Sequence, residues 1–228
     1  MKSMKLILNA SVTLILLLGL AAPSHSEGIT PSDYYGDEYG KRLLHDVETH
    51  HLGPGIERMN GKSHMWTYAM QDFDFILAYY PNHPRGLQLK GEIAMKLGKP
   101  HLAEQSFRKA IELYPNSTST YILYAIFLQQ NGKLDAAETN YKKALDADPN
   151  SAATHYNLGL LYFKQSRYAL ANTHAQRAYA LGYPLPGLRK KLLAAKAWNP
   201  EPASAMEASG STETTVKSLP AAKPAPVQ

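Results

Sequence analysis

The stretch that decides the fold is PNSTSTYILYAIFLQQNGKLDAAETNYKKALDADPN, residues 115–150, which opens on Pro115-Asn116 and closes on Pro149-Asn150. The two prolines stand 34 residues apart, and the same step relates Ala103, Ala137 and Ala171; Ala110, Ala144 and Ala178; Gly98 and Gly132; Phe107 and Tyr141; and Lys109 and Lys143. Many coincidences at one fixed step define an internal repeat, and a period of this length marks a helical solenoid. Within the unit, Tyr121, Tyr124 and Leu128 follow helical spacing, Asn131-Gly132 breaks the chain, and Ala137, Tyr141, Ala144 and Leu145 mark a second amphipathic helix ended by Pro149. Small residues at Gly91, Ala125 and Gly159 on first helices, and the two alanine series on second helices, let backbones approach closely. The rings of Phe107 and Tyr141 fill the space beside them.

Composition narrows the function classes. The chain has 228 residues, 44% hydrophobic and 19% charged, which is ordinary for a soluble globular protein. Fifteen tyrosines against two tryptophans and five phenylalanines point to amphipathic rings that pack on one side and hydrogen-bond on the other. The absence of cysteine excludes disulfides, thiolate zinc sites, thiol nucleophiles and a lipid-modified cysteine. Formal net charge is +5, or +3 once Lys2 and Lys5 are set aside, too small and too evenly spread for a nucleic-acid footprint.

Lys2 and Lys5 precede an apolar run from Leu6 to Ala22, followed by Pro23, Ser24, His25 and Ser26. A positive start, an apolar centre and small residues three and one positions before a cut are the order of a secretory signal peptide, so residues 1–26 are expected to be removed after Ser26. Seventeen residues at about 1.5 Å each nearly cross the ~30 Å of a bilayer core, so an uncleaved anchor is the rival reading. Polar Asn9, Ser11 and Thr13 and the helix-ending Pro23 favour cleavage, and the localisation expected is periplasmic or secreted.

The segment His155-Tyr156-Asn157-Leu158-Gly159, with Tyr162, Ala171 and Ala178, resembles the tetratricopeptide-repeat family, whose pattern is an aromatic, Leu-Gly, Tyr, Ala, an aromatic, Ala and Pro. The resemblance covers residues 84–184 and implies an all-α, right-handed helix-turn-helix solenoid with terminal capping helices. Lys90 stands where the family has Leu, Ala175 replaces the aromatic, and Tyr183-Pro184 replaces a Pro-Asn end. The organisation expected is a signal peptide (1–26), an N-terminal cap region (27–62), a degenerate repeat (63–83), three full repeats (84–117, 118–151, 152–185), a capping helix (186–198) and a disordered Pro/Ala/Ser/Thr-rich tail (199–228). In the degenerate unit Ala69 and Phe73 match the family's small and aromatic positions, while Gly53-Pro54-Gly55 is read as breaking any first helix. Arg42 to His51 is read as a cap, and Leu188, Leu192, Leu193 and Trp198 as the closing helix, with Arg189, Lys190 and Lys191 facing water.

In this family first helices line a concave groove that binds proteins. The resemblance transfers that role to Arg85, Gln88, Glu92 and Met95 in the first unit, Ile122, Ile126 and Gln129 in the second, and Tyr156, Leu160 and Phe163 in the third. Family members that clamp a terminal carboxylate place Lys and Asn where Gln88 and Glu92 stand here, so an apolar helix or extended segment fits better. The competing possibility is that a terminal helix of the chain itself covers the groove. His45, Asp46, Glu48, His50 and His51 form a second cluster. Asp46, His50 and His51 are its candidate metal ligands by helical spacing, but no full ligand set appears, and the expectation is no metal and no cofactor. Nucleophile, acid-base and phosphate-loop motifs are missing. The reading is a non-enzymatic, exported protein-protein interaction adaptor or assembly factor for a peptide or protein partner in the cell envelope, with no nucleic acid and no membrane span after cleavage. The alternative is a structural or oligomerisation module of an envelope machine for export, pilus, cytochrome maturation or outer-membrane assembly.

Overall fold

The computed structural model describes residues 30–36 and 38–200; residues 1–29, on which the expected signal peptide falls, and residues 201–228, with most of the expected disordered tail, lie outside them. In chain order the helices are α1 (Glu38–Val47), a π-helical turn (Glu48–Leu52), α2 (Gly53–Asn60), a short 3-10 turn (Ser63–Met65), α3 (Trp66–Tyr79), α4 (Pro84–Lys96), α5 (Pro100–Leu113), α6 (Thr118–Gln130), α7 (Leu134–Ala147), α8 (Ala152–Lys164), α9 (Tyr168–Ala180) and α10 (Gly187–Ala194). No strand occurs among the described residues, and none of these helices is long and apolar enough to cross a membrane.

The pairs α4–α5, α6–α7 and α8–α9 are the three repeats. Ala103, Ala137 and Ala171, and Ala110, Ala144 and Ala178, are 0–1% exposed, so both alanine series lie in the contacts that close each pair and stack it on the next. The small residues of the first helices are held to size by the helix two further along the chain, α6 for α4 and α10 for α8. A Cβ on Gly91 would sit 3.1 Å from Phe127 Cδ2, and one on Gly159 would sit 2.6 Å from Leu188 Cδ2. Phe107 stacks on Tyr124 with ring centroids 5.0 Å apart and tilts against Phe127 at 5.5 Å. The turn inside each pair carries one left-handed residue, Gly98 (φ 67°), Gly132 (φ 76°) and, at the third step, Ser166 (φ 60°). The serine bears the steric cost that glycine avoids there.

Gly53-Pro54-Gly55 does not break the chain as expected; it starts α2. Proline at the first turn removes a donor that the helix leaves unpaired anyway. Gly55 has a packing reason: a Cβ there would stand 2.7 Å from Phe73 Cε1 and 3.1 Å from Asp72 Cβ, so α2 lies directly against α3. The degenerate unit therefore has both helices. Lys90, at a position the family gives to leucine, is buried, with its ammonium bound by the Asp74 carboxylate and by Ser106 Oγ at 2.6 Å.

At the carboxyl end α10 buries Leu188 and Leu192. Asn199, assigned to the disordered tail from sequence, is tied to α9: its N–H donates to Asn172 Oδ1 at 3.1 Å, and its carbonyl accepts from Asn172 Nδ2 at 2.9 Å and from Gln176. At the amino end residues 31–36 lie across the repeat ends and close a turn at Tyr34-Tyr35, where Gly36 N–H donates to the Asp33 carbonyl at 3.0 Å. Ser32 N–H donates to the Tyr79 carbonyl (2.8 Å), Tyr34 N–H to Asn82 Oδ1 (2.9 Å), and Tyr114 Oη to the Pro31 carbonyl (3.3 Å).

Candidate functional site: the concave face

Adjacent first helices α4 and α6 form a cleft of about 190 Å³ lined by Gln88, Gly91, Glu92, Phe107, Leu123, Ile126, Phe127 and Gln130. Its floor is apolar because Gly91 lets Phe127 approach α4, while Leu123 and Ile126 stay partly exposed above it. Its rim is polar and ordered. Arg85 donates to Gln88 Oε1 (3.1 Å), and Gln88 Nε2 donates to Glu92 Oε1 (2.9 Å), so the side chains that replace a carboxylate clamp are engaged with each other.

The structure places the ten expected groove residues unequally. Gln88, Glu92 and Ile126 line the cleft, and Arg85 joins its rim. Met95 is exposed, and Ile122 and Leu160 are half-buried. Gln129 turns toward α7, where its Oε1 accepts from Tyr141 Oη at 3.4 Å. Tyr156 is not open: it is 7% exposed, stacks on Tyr183 with centroids 4.2 Å apart, and lies so close beneath Gly187 that a Cβ there would be 2.8 Å from its hydroxyl. Phe163 touches Tyr168 and lies under the Lys191 ammonium, 5.9 Å from the ring centre. The chain leading into α10 thus closes the third unit's share of the groove, and the open part spans the first two units. Leu123, Phe127 and Gln130 complete it and were missed from sequence. The apolar residues beside Ile126 on its own helix were the available signal.

The candidate metal residues do not converge. His50 Nδ1 bonds the Asp46 carbonyl (2.8 Å), not its carboxylate, while His51 turns to Asp72 Oδ1 (3.2 Å) and stacks on Phe75. Glu48 instead meets His83 Nε2 at 2.9 Å. Among the described residues no group of three or more metal-binding side chains assembles.

Two histidine arrangements went unread, one buried at His83 and one partly buried at His155 and His174. His83 caps α4, its Nδ1 accepting from Gly86 N–H (3.0 Å); the proton is therefore on Nε2, which donates to Glu48. Burial pulls its pKa down, outweighing the Glu48 hydrogen bond. His155 Nε2–H donates to the Pro149 carbonyl (3.1 Å), so its Nδ1 accepts from His174 Nδ1–H (3.0 Å). Burial lowers both pKa values, that of His174 to about 4 with help from His155 and Lys142. Beside them Glu138 accepts from Tyr162 (3.0 Å) and Arg167 (2.6 Å) and pairs with Lys142 (2.8 Å). Burial raises the Glu138 pKa, but these three partners outweigh it and bring it below its ordinary value.

The architecture is that of a helix-pair repeat solenoid with a groove along its first helices. Family models described as tetratricopeptide repeat match residues 84–117 and 106–139, and one described as TPR repeat matches residues 128–166. Residues 84–166 are tetratricopeptide repeats. The 106–139 match straddles two units, as expected when a solenoid has no privileged starting helix. Among solved structures, pilF of Pseudomonas aeruginosa is similar at 17% identity, with a TM-score of 0.53 over 70% of this chain and 72% of that one. MamA is similar at 19% identity (TM-score 0.49, 67% of this chain and 83% of that chain). YrrB, described as a TPR protein with an unusual peptide-binding site, is similar at 23% identity (TM-score 0.46, 69% and 84%). At these identities the likeness is one of fold. No curated protein matches the chain.

Proposed function

We propose that the protein is an exported adaptor or assembly factor that takes a peptide or helix of an envelope partner into the open half of its concave groove, and that it has a binding role and no catalytic one. The supporting observation is the cleft itself, an apolar floor of Leu123, Ile126 and Phe127 under a polar rim of Gln88, Glu92 and Gln130. An amphipathic helix or an extended segment with apolar anchors is complementary to such a surface. Export rests on the order of Lys2 and Lys5, the apolar run and the small residues before Glu27. Intact-mass measurement on protein from the periplasmic fraction should find a chain starting at or near Glu27; Met1 retained in a membrane pellet would reject export.

The binding test crosslinks the protein in cells, identifies what is captured and compares variants. Ile126→Lys places a charge on a partly exposed cleft residue, so the helical spectrum should persist while affinity for the captured partner falls at least tenfold, about 1.4 kcal/mol. Normal binding by a folded Ile126→Lys protein would remove the groove as the working face. Unfolding would instead make Ile126 a core residue.

A further inference from the structure

Charge is far from even along the solenoid. Residues 30–148 hold thirteen Lys and Arg against fifteen Asp and Glu, whereas residues 149–200 hold seven Lys and Arg and no carboxylate. Among the described residues the carboxylates that reach this end come from its border: Glu138 takes Arg167, and Asp148 accepts from the Asn150 N–H at 3.0 Å. Lys164, Lys190, Lys191 and Lys196 are exposed, and among the described residues no carboxylate forms an ion pair with them. Whole-chain charge hides this, because the excess of residues 149–200 is averaged over a longer stretch in which the two signs nearly balance.

The same end bears apolar side chains in water. Leu185 and Leu193 are 55% and 53% exposed, beside the lysines of α10. Helical geometry explains the mixture: α10 turns Leu188 and Leu192 inward, one turn apart, and this leaves Lys190 and Leu193 on its outward side. Trp198 is half-buried beside them, with the Arg189 guanidinium 5.1 Å from its ring centre and Tyr179 edge-on at 6.0 Å. Because α10 is the last helix described, Lys190 and Leu193 look away from the stack, while Lys191 lies at the border with the groove, over Phe163.

We infer that the α10 end of the solenoid is a docking surface for an anionic membrane surface. Lysines interleaved with exposed leucines beside an interfacial tryptophan match a headgroup layer over an acyl boundary: the ammonium groups meet lipid phosphates, and the leucines enter the apolar layer beneath. An acidic peptide or a nucleic acid would satisfy the lysines but leave Leu185 and Leu193 in water. This inference does not depend on the groove reading.

The test uses the full-length chain and sedimentation with two vesicle types, phosphatidylcholine alone and phosphatidylcholine mixed with phosphatidylglycerol. The readout is the ratio of the two partition coefficients, from which salt-independent insertion of the apolar Leu6–Ala22 run cancels. The wild-type ratio should favour the anionic vesicles and shrink with added salt. Substituting Lys190→Gln, Lys191→Gln and Lys196→Gln together should lower that ratio on the order of 100-fold, at roughly fivefold per cation near an anionic surface. Leu185→Ser with Leu193→Ser should weaken anionic-vesicle binding while leaving retention on heparin unchanged. All five positions are exposed, and circular dichroism verifies that each variant is folded. A wild-type ratio near one, or a ratio unaffected by the lysine substitutions, overturns the inference. So does anionic-vesicle binding indifferent to the leucines, which would assign the patch to a soluble polyanion.

Discussion

Ala137→Asp is expected to abolish the folded state, with loss of the helical circular dichroism signal and of any cooperative melting transition. Ala137 has no exposed area, and its place in the repeat shows what it faces. In the next unit the corresponding Ala171 has its carbonyl 3.3 Å from where a Cβ on Gly159 would lie, so this position of the second helix meets the small residue of the first. Across α6 and α7 the equivalent meeting is between Ala125 and Ala137, both fully buried. A carboxylate there adds volume where no side chain has room to move and buries a charge with no partner, costs that together exceed several kcal/mol of a total near 5–15 kcal/mol. The exposed neighbour Ala136 supplies the control: Ala136→Asp should change stability by no more than about 0.5 kcal/mol. An Ala137→Asp protein that still melted cooperatively close to wild type would mean that the helix pair is not closed at this alanine.

The repeat was legible because its physics is local and periodic: alanines at a fixed step let helices touch, and the glycines between the helices, Gly98 and Gly132, take the left-handed turn. Where the structure departs from the reading, the cause lies in chain path. Gly53-Pro54-Gly55 looks like a breaker, and only the proximity of Phe73 shows that Gly55 is there for close packing. Tyr156 sits at a groove position by register and is covered because residues 183–187 fold back over it. Pro81-Asn82 reads as an ordinary repeat end, yet Asn82 is buried and grips Asp33 and Tyr34, almost fifty residues earlier. His155 and His174 lie on different helices, and nothing short of the α8–α9 register reveals that their Nδ1 atoms meet. The charged end was in the sequence throughout, hidden by averaging over the whole chain.

Stability is expected to fall on mild acidification, over a range where most carboxylates are still ionised. An unfolded histidine titrates near 6.5, whereas burial holds His83, His155 and His174 below that, His174 at about 4. Well above pH 6.5, as at pH 7.5, these histidines are almost wholly neutral in both states and stability hardly depends on them. As pH falls from 6.5 toward 4, the unfolded chain binds protons that the folded chain refuses, so unfolding becomes more favourable. His174 alone should account for about 2 kcal/mol between pH 7.5 and pH 5, with His155 titrating as its coupled partner. The hydrogen bonds run the same way: a proton on His155 Nδ1 would set two N–H groups against each other across 3.0 Å, and one on His83 Nδ1 would displace the Gly86 N–H from its cap. Glu138 acts later, because a carboxyl held below its ordinary pKa gives up its stabilisation only as pH drops through that lower value. Urea denaturation of the full chain at pH 7.5, 6 and 5 measures the slope directly. His174→Gln removes one titrating group from both states and should flatten the slope whatever it does to stability at pH 7.5. Equal stability at pH 7.5 and pH 5, or an undiminished slope in His174→Gln, would show that the buried pair takes up its proton in the folded protein as readily as in the unfolded one.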